Sequence, residues 1–199
     1  MFFSCGKDSL ALLDLMSPFF KEIVCVHMYF VQGLEHIEKY IHWAQAKYTN
    51  IKIEQIPHWN LTYILRSGMF CVANTNVKLL KLSDVDRAIR LKYKVDYAFY
   101  GMKKADGMNR RLMLNTYKDC QNKGKVYPLA DWSQNDIISY MKMRKLPEPV
   151  RYSKNASGGC GFNLECFLWM RKHYPQDLEK ILKAFPMSEK ILLDYDNRQ

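Results

Sequence analysis

The chain has 199 residues and a formal net charge of +10, from 30 Lys and Arg against 20 Asp and Glu. That length is enough for one domain with a sizeable core, and 48% apolar residues excludes a disordered polyelectrolyte. No apolar run approaches the roughly 20 residues that a membrane-spanning helix needs.

The opening, Met1-Phe2-Phe3-Ser4-Cys5-Gly6-Lys7-Asp8, shows no basic leader followed by an apolar core, so a cytoplasmic location is expected and no membrane partner. Phe2-Phe3-Ser4 reads as a very short strand. Asp8 to Met16 reads as a helix with Leu10, Leu12, Leu13 and Met16 on its apolar faces, stopped by Pro18. Ile23 to Met28 has the β-branched, apolar character of a parallel strand covered on both sides. After a turn at Gly33, Leu34 to Tyr48 carries Leu34, Ile37, Ile41 and Ala44 at helical spacing. Ile51 to Ile56 alternates as a strand, ended by Pro57.

A short helix is expected from Leu61 to Leu65, before Gly68. Ser83 is expected to cap a helix over Asp84 to Leu91, with Asp84 and Asp86 in its first turn. Tyr97 to Tyr100 reads as a strand ending at Gly101, and Val126-Tyr127 as another before Pro128. Ser133 caps Gln134 to Met143. Pro147 to Gly161 is a Pro- and Gly-containing connection before helices near Leu164 to Lys172 and Gln176 to Ala184. The alternation implies an α/β fold: an open, mostly parallel sheet with helices on both faces. A single domain over residues 1–199 is expected, with an α/β core to about 145 and a loop and helical appendage over 146–199.

Six cysteines, Cys5, Cys25, Cys71, Cys120, Cys160 and Cys166, are scattered through a chain large enough to fold without staples. Free thiols in a reducing compartment are expected. Cys25 lies in an apolar run and reads as core. Cys160 and Cys166 are too widely spaced for the usual zinc knuckle, so no metal ligands are assigned. Much of the positive charge sits between Lys78 and Lys125, which favours polyanions: nucleotides or nucleic acid.

The sharpest feature is Ser4-Cys5-Gly6-Lys7-Asp8-Ser9, placed between a strand and a helix. Amides in such a turn, with the helix N-terminus, cradle phosphate. Gly6 allows close backbone approach, Lys7 neutralises a phosphoryl oxygen, and Ser4 and Ser9 add hydroxyls. Asp8 suits the first helical turn, either holding the loop or coordinating magnesium. This is not a Walker A loop, which would need glycine at Met1 and Ser or Thr at Asp8. The Cys5 thiol lies beside Lys7 and a helix N-terminus, a setting that lowers thiol pKa, although a small side chain that merely fits the turn is the simpler reading. Further on, Gly101 ends a strand, Lys103 and Arg110 are placed to clamp phosphate or sulfate oxygens, and Asp106 to orient one of those cations.

The loop resembles the Ser-Gly-Gly-Lys-Asp-Ser loop of the adenine-nucleotide alpha hydrolases, with Cys5 in place of the first glycine. Gly101-Met102-Lys103-Lys104-Ala105-Asp106 with Arg110 is similar to a Gly-x-Arg-x-x-Glu segment and later arginine of the phosphoadenosine phosphosulfate (PAPS) reductase family. Tyr127-Pro128-Leu129-Ala130-Asp131-Trp132 through Asp136-Ile137 resembles that family's Pro-Leu-x-x-Trp-x-x-x-Asp-Val segment. Ser157-Gly158-Gly159-Cys160 and Cys166 resemble a later Ser-x-Gly-Cys and second cysteine. The resemblance implies an adenine nucleotide, ATP or PAPS, with Mg²⁺ accompanying ATP. It implies a cofactor site of Ser4, Cys5, Gly6, Lys7, Asp8, Ser9, Gly101, Lys103 and Arg110, with Lys7, Asp8, Lys103 and Arg110 acting on the reacting group.

Some family features differ. His27-Met28-Tyr29-Phe30 stands where the family often has Asp-Thr-Gly. The cysteine of a late Glu-Cys-Gly-Leu-His segment is lacking, and so is the cysteine pattern that holds an iron–sulfur cluster in some relatives, so no cluster is expected. The resemblance therefore implies a PAPS-reductase-like enzyme acting at sulfate or α-phosphate. The alternatives are an ATP pyrophosphatase that adenylates nucleic acid or serves sulfur transfer, with a nucleic-acid or sulfur-carrier acceptor, and a nucleotide-binding protein without turnover. Homodimers are common among such enzymes. His27 and Asp8 are the candidate general bases.

Overall fold

The computed structural model describes residues 1–116, 124–152 and 161–198. Strand β1 (Ile23–Tyr29) pairs in parallel with β2 (Ile51–Pro57), in a register that sets Ile23 against Ile51 and His27 against Gln55. The N-terminal segment lies along the other side of β1. Phe2 bridges Val26 in parallel, and Phe3 N–H donates to Val26 O at 2.8 Å. Phe2 N–H then donates at 3.1 Å to Phe99 O in β3 (Ala98–Phe99), which pairs in parallel with β4 (Lys125–Val126). The spatial order is β2, β1, N-terminal segment, β3, β4. The expected strand at Phe2 to Ser4 is thus one bridge at Phe2, continued by hydrogen bonds on both sides.

Helix α1 (Lys7–Met16) follows the N-terminal segment, α2 (Glu35–Lys47) joins β1 to β2, and α3 (Leu61–Ser67) and α4 (Leu82–Tyr93) cross to β3. Helix α5 (Met108–Thr116) lies between β3 and β4, and α6 (Gln134–Met143) follows β4. Helices α7 (Leu164–His173), α8 (Pro175–Ala184) and α9 (Lys190–Asp196) form a C-terminal helical extension. Short 3₁₀ turns add to these at Ser17–Phe19, Lys104–Asp106 and Pro186–Glu189. The fold is an α/β one, as the alternation of elements implies, with parallel strands flanked by helices.

Leu10, Ala11, Leu12 and Leu13 of α1 are all fully buried. A helix apolar on every side must sit inside the protein, and α1 does. Asp14 is the exception in that run. Its carboxylate, 1% exposed, accepts hydrogen bonds from Tyr48 (2.7 Å), Tyr140 (2.9 Å), Lys47 (3.1 Å) and the Arg144 Nε (2.7 Å). Those donors come from the end of α2 and from α6 and its C-cap, so one side chain joins three helices. Burial pushes the Asp14 carboxyl up, but the hydrogen bonds from Arg144, Tyr48, Tyr140 and Lys47 outweigh it and hold it at about 2.

The C-terminal helices enter the same core through Phe167, Met170, Leu178, Ile181 and Leu192. A polar clamp reinforces them. Asp177 of α8 accepts from the backbone N–H groups of Glu35 (2.8 Å) and His36 (3.0 Å), capping α2 from outside its own sequence. It also takes the His36 Nδ1 at 2.7 Å, while Tyr152 Oη lies 3.1 Å from Nε2. Burial lowers His36 despite Asp177, so the imidazole is neutral at pH 7, with Nδ1–H donating to the carboxylate.

Several local expectations shift. Helix α4 begins at Leu82, not Asp84, and Lys81 rather than Ser83 stands at its N-cap, where its N–H donates to Asp84 Oδ2 at 2.8 Å. Asp86 is not a solvated first-turn acid: it is 2% exposed and bonded to Arg90 one turn on, at 3.2 Å. At α6 the expected Ser133 cap is present, and Asp136 completes it as a capping box, with Ser133 Oγ accepting from Asp136 N–H (3.2 Å) and Asp136 Oδ2 from Ser133 N–H (2.7 Å). Cys120 and the Ser157 to Cys160 segment lie outside the described residues.

Candidate nucleotide site

In an open α/β sheet, ligands bind beyond the carboxyl ends of the strands, where the chain turns from one side of the sheet to the other. Here that place lies between the N-terminal segment, whose chain continues toward β1, and β3, whose chain continues toward β4. The Ser4–Ser9 loop leaves one and Gly101–Asp106 leaves the other. Gly101 packs directly on the loop: a Cβ there would sit 3.4 Å from the Asp8 carbonyl carbon and oxygen.

The loop is tightly organised. Ser9 Oγ donates to Gly6 O at 2.9 Å, Ser4 Oγ lies 3.3 Å from Ser9 Oγ, and Leu10 N–H closes the first turn on Gly6 O at 3.0 Å. Among the described residues, no side chain caps the N-terminus of α1. Ser4 is exposed, Gly6 and Lys7 are half-buried, and Ser9 is buried. An uncapped helix start beside an accessible hydroxyl and an ammonium is a site for an anion.

Cys5 holds a left-handed backbone, φ 61°, at the position where the resembling loop has glycine. Its side chain is 2% exposed, with Sγ 3.7 Å from His27 Nδ1. Burial, with smaller contributions from Glu38 and Cys25, pushes its thiol well above the usual range. The activating influence of Lys7 and the helix start is therefore outweighed, and Cys5 is a packed side chain of the turn. His27 Nδ1 lies 3.0 Å from Phe3 O, and burial lowers its pKa more than that bond raises it. It is a neutral imidazole anchored to the first strand.

The expected cation clamp divides in two. Lys103 is fully buried and bridges two acids, at 2.6 Å from Asp8 Oδ1 and 2.8 Å from Asp106 Oδ1. Asp106 Oδ2 also accepts Lys103 N–H at 2.9 Å. Burial raises the Asp106 carboxyl, but Lys103 outweighs it and the net shift is downward. Lys103 thus ties the two loops together instead of reaching outward. Arg110 is exposed on α5, with Nη1 3.0 Å from Met102 Sδ. Lys7 remains at the mouth, its Nζ 3.1 Å from Asp8 Oδ2. Asp8 thus meets an ammonium group at each oxygen, Lys103 at Oδ1 and Lys7 at Oδ2. Among the described residues, no group of three or more His, Cys, Asp or Glu side chains is arranged to hold a metal ion.

Beside Ser4, at the carboxyl end of β1, a cavity of about 160 Å³ opens between His27, Tyr29, Phe30, Leu34, Glu38, Gln55 and His58. The Phe30 ring stacks on His58, centroids 4.7 Å apart. Gln55 Nε2 donates to Glu38 at 3.2 Å. A larger cavity of about 410 Å³ opens between Met1, Ile23, Tyr93 and Tyr97, and no residue of the Ser4–Ser9 loop lines it. Glu38 and Gln55 escape a motif search, because only the parallel register places Gln55 beside His27 and only the packing of α2 brings Glu38 to it.

The model of the phosphoadenosine phosphosulfate reductase domain matches residues 1–160. The chain belongs to this family. The PAPS reductase domain family lies within the adenine-nucleotide alpha-hydrolase superfamily, as the Ser4–Ser9 loop implies. Among solved structures, the chain is similar to the U34-tRNA thiolase NcsA from Methanococcus maripaludis with its 4Fe-4S cluster, at 14% identity and a TM-score of 0.47, over 95% of this chain and 70% of that one. At that identity and score the likeness says nothing of this chain's chemistry. No curated protein matches. No helix among the described residues is long and apolar enough to cross a membrane.

Proposed function

We propose that this member of the PAPS reductase domain family binds ATP and directs attack on its α-phosphorus, adenylating an acceptor and releasing pyrophosphate. The observation that carries the reading is the Ser4–Ser9 loop. It joins an uncapped helix start, the half-buried Lys7 ammonium and the exposed Ser4 hydroxyl at the carboxyl end of the central strand. Oriented amides and a fixed cation stabilise charge that grows on a departing pyrophosphate, without reorganising during the reaction. Asp106 holds Lys103, Lys103 holds Asp8, and Asp8 holds Lys7, so the ammonium is positioned before the nucleotide arrives.

Attack at phosphorus also suits the thiol within the loop. Reduction of a sulfonucleotide requires a thiolate, and the Cys5 thiol inside the loop is buried and pushed up by that burial. The excess positive charge of the chain favours a polyanionic acceptor such as nucleic acid. Turnover of PAPS is the second reading, favoured by the family match itself.

The test incubates the protein with Mg²⁺ and either ATP or PAPS, with and without RNA, DNA and a thiol reductant, and follows products by mass spectrometry. AMP or an adenylated acceptor together with pyrophosphate supports the proposal. Adenosine 3′,5′-bisphosphate and sulfite from PAPS would replace it by reductase chemistry. Absence of binding by either nucleotide would remove the site.

A further inference from the structure

The cavity beside the loop has a charge that its surroundings do not share. The chain as a whole carries +10, yet no Lys or Arg stands among the described residues that line this cavity. Its charged side chain is Glu38, half-buried in the first turns of α2. Burial lowers the pKa of both His27 and His58, so neither imidazole supplies a cation at neutral pH. Lys180 reaches the rim, but its ammonium donates to Gly33 O at 2.5 Å and faces Asp177 Oδ1 at 3.7 Å.

Gln55 fixes the Glu38 carboxylate. Its Nε2 lies 3.2 and 3.3 Å from the two Glu38 oxygens, a fork between two residues that both line the cavity, which leaves lone pairs on each oxygen. A carboxylate held this way accepts hydrogen bonds from neutral hydroxyls. It repels a phosphate, and the partly desolvated wall strengthens that repulsion over its value in water.

We propose that Glu38, held by Gln55, receives the ribose hydroxyls of the bound nucleotide and makes the site select a ribose with a free 3′-hydroxyl over a 3′-phosphorylated one. The substrate class is then an ordinary nucleoside polyphosphate, and a 3′-phosphonucleotide such as PAPS is turned away at the ribose, not at the 5′ end. This inference rests on the nucleotide reading of the loop and adds the discriminating group.

The matched probes are AMP and adenosine 3′,5′-bisphosphate, which differ by the 3′-phosphate alone, with ATP as the control for the loop. Binding is measured by titration calorimetry on the wild type, Glu38→Gln and Gln55→Leu, each checked for folding by thermal melting. The wild type is expected to prefer AMP by at least about tenfold, the factor carried by 1.4 kcal/mol. Glu38→Gln removes the charge and is expected to reduce that preference to about twofold or less. Gln55→Leu leaves the charge in place and is expected to keep the preference while weakening AMP. Should Glu38→Gln not fold, the wild-type ratio and Gln55→Leu still decide. Equal or tighter binding of the bisphosphate to the wild type, or full discrimination retained in Glu38→Gln, overturns the inference while leaving the loop assignment intact. If the folded wild type binds none of the three nucleotides, the loop assignment itself fails and the inference falls with it.

Discussion

The Lys103 ammonium, fully buried, lies 2.6 Å from Asp8 Oδ1, an ion pair between residues 95 positions apart. It joins the phosphate loop to the loop after β3 and sets where Asp8, and through it Lys7, stands. Replacing Lys103 by Met leaves Asp106 without its ammonium partner and Asp8 with Lys7 alone. The expected loss is about 3 kcal/mol, the lower end for breaking a buried pair because both carboxylates retain some solvent. Urea unfolding measures it. A loss below about 0.5 kcal/mol, the usual size for a surface change, would show that the ammonium does not hold the loops.

Lys7 is the cation expected to meet the nucleotide. Its side chain is 21% exposed and its recorded partner, Asp8, keeps Lys103 when Lys7 is removed. Lys7→Ala is therefore expected to change stability by less than about 1 kcal/mol. It is also expected to weaken ATP binding by about tenfold or more, as loss of a charge-assisted phosphate contact does. Calorimetric titration with ATP checks both parts when paired with a melt. A variant that melts like the wild type and binds ATP equally well would show that Lys7 does not touch phosphate.

Legibility in the sequence follows the distance over which each feature is decided. The cap at Ser133 needs only Asp136, three residues on, and reads directly. So does α1, because Leu10 to Leu13 announce a buried helix without help from elsewhere. The loop is legible as a short pattern between a strand and a helix, but the fate of its neighbours is not. Lys103 looks like an outward clamp until its fully buried ammonium is seen between Asp8 and Asp106. The role of Asp14 is not written locally, because its donors come from residues 47, 48, 140 and 144. Helix α5 is obscured because only Leu114 in it is buried, so no apolar stripe marks it. Glu38 and Gln55 meet only through α2 packing and the β1–β2 register, neither of which a motif carries.

Cys5 carries opposing contributions that a pair of variants separates. Its left-handed backbone, φ 61°, costs a side-chain-bearing residue about 1 kcal/mol that glycine escapes. Its buried thiol contributes packing in the other direction. Cys5→Ala loses the sulfur and keeps the strain, whereas Cys5→Gly loses both. Cys5→Gly is therefore expected to be at least as stable as Cys5→Ala, although it removes one more carbon. Chemical denaturation of both variants is the measurement, and a glycine variant less stable by more than about 1 kcal/mol would contradict the strain. In the native protein, burial and the raised thiol pKa predict slow labelling of Cys5 by a disulfide reagent at neutral pH.

Asp14 gives the fold an acid limit. Its carboxyl is held at about 2 in the folded chain against 3.8 in the free side chain, so the folded state binds its proton less readily. The stability this supplies is fully present above the unfolded value and is lost as pH falls through the folded one. A shift of that size corresponds to about 2 kcal/mol. Asp14→Asn, which points an amide N–H₂ at Lys47, Tyr48, Tyr140 or Arg144, is expected to cost about 3 kcal/mol at pH 7. Unfolding free energies measured from about pH 5 to pH 2 should fall more steeply for the wild type than for the variant. Parallel profiles would mean that Asp14 is not the group responsible.

Asp177 couples the C-terminal helices to the rim of the cavity beside Ser4, because the helix it caps begins beside Gly33 and Leu34, which line that cavity. Its carboxylate is 1% exposed, and its removal leaves the Glu35 and His36 amides and the His36 ring without their acceptor. Asp177→Ala is expected to destabilise the protein by about 3 kcal/mol and to speed hydrogen exchange of the first turn of α2. The same cluster predicts a pH response. Burial lowers His36 in the folded chain, so the unfolded chain takes up a proton first as pH falls through 6.5, and stability declines below that value. His36→Asn should flatten the decline while lowering stability at pH 7. Exchange protection of α2 measured at pH 7.5 and 5.5 decides between two outcomes: selective loss at the α2 N-terminus places the coupling at Asp177 and His36, whereas uniform loss across the sheet assigns the response to other groups.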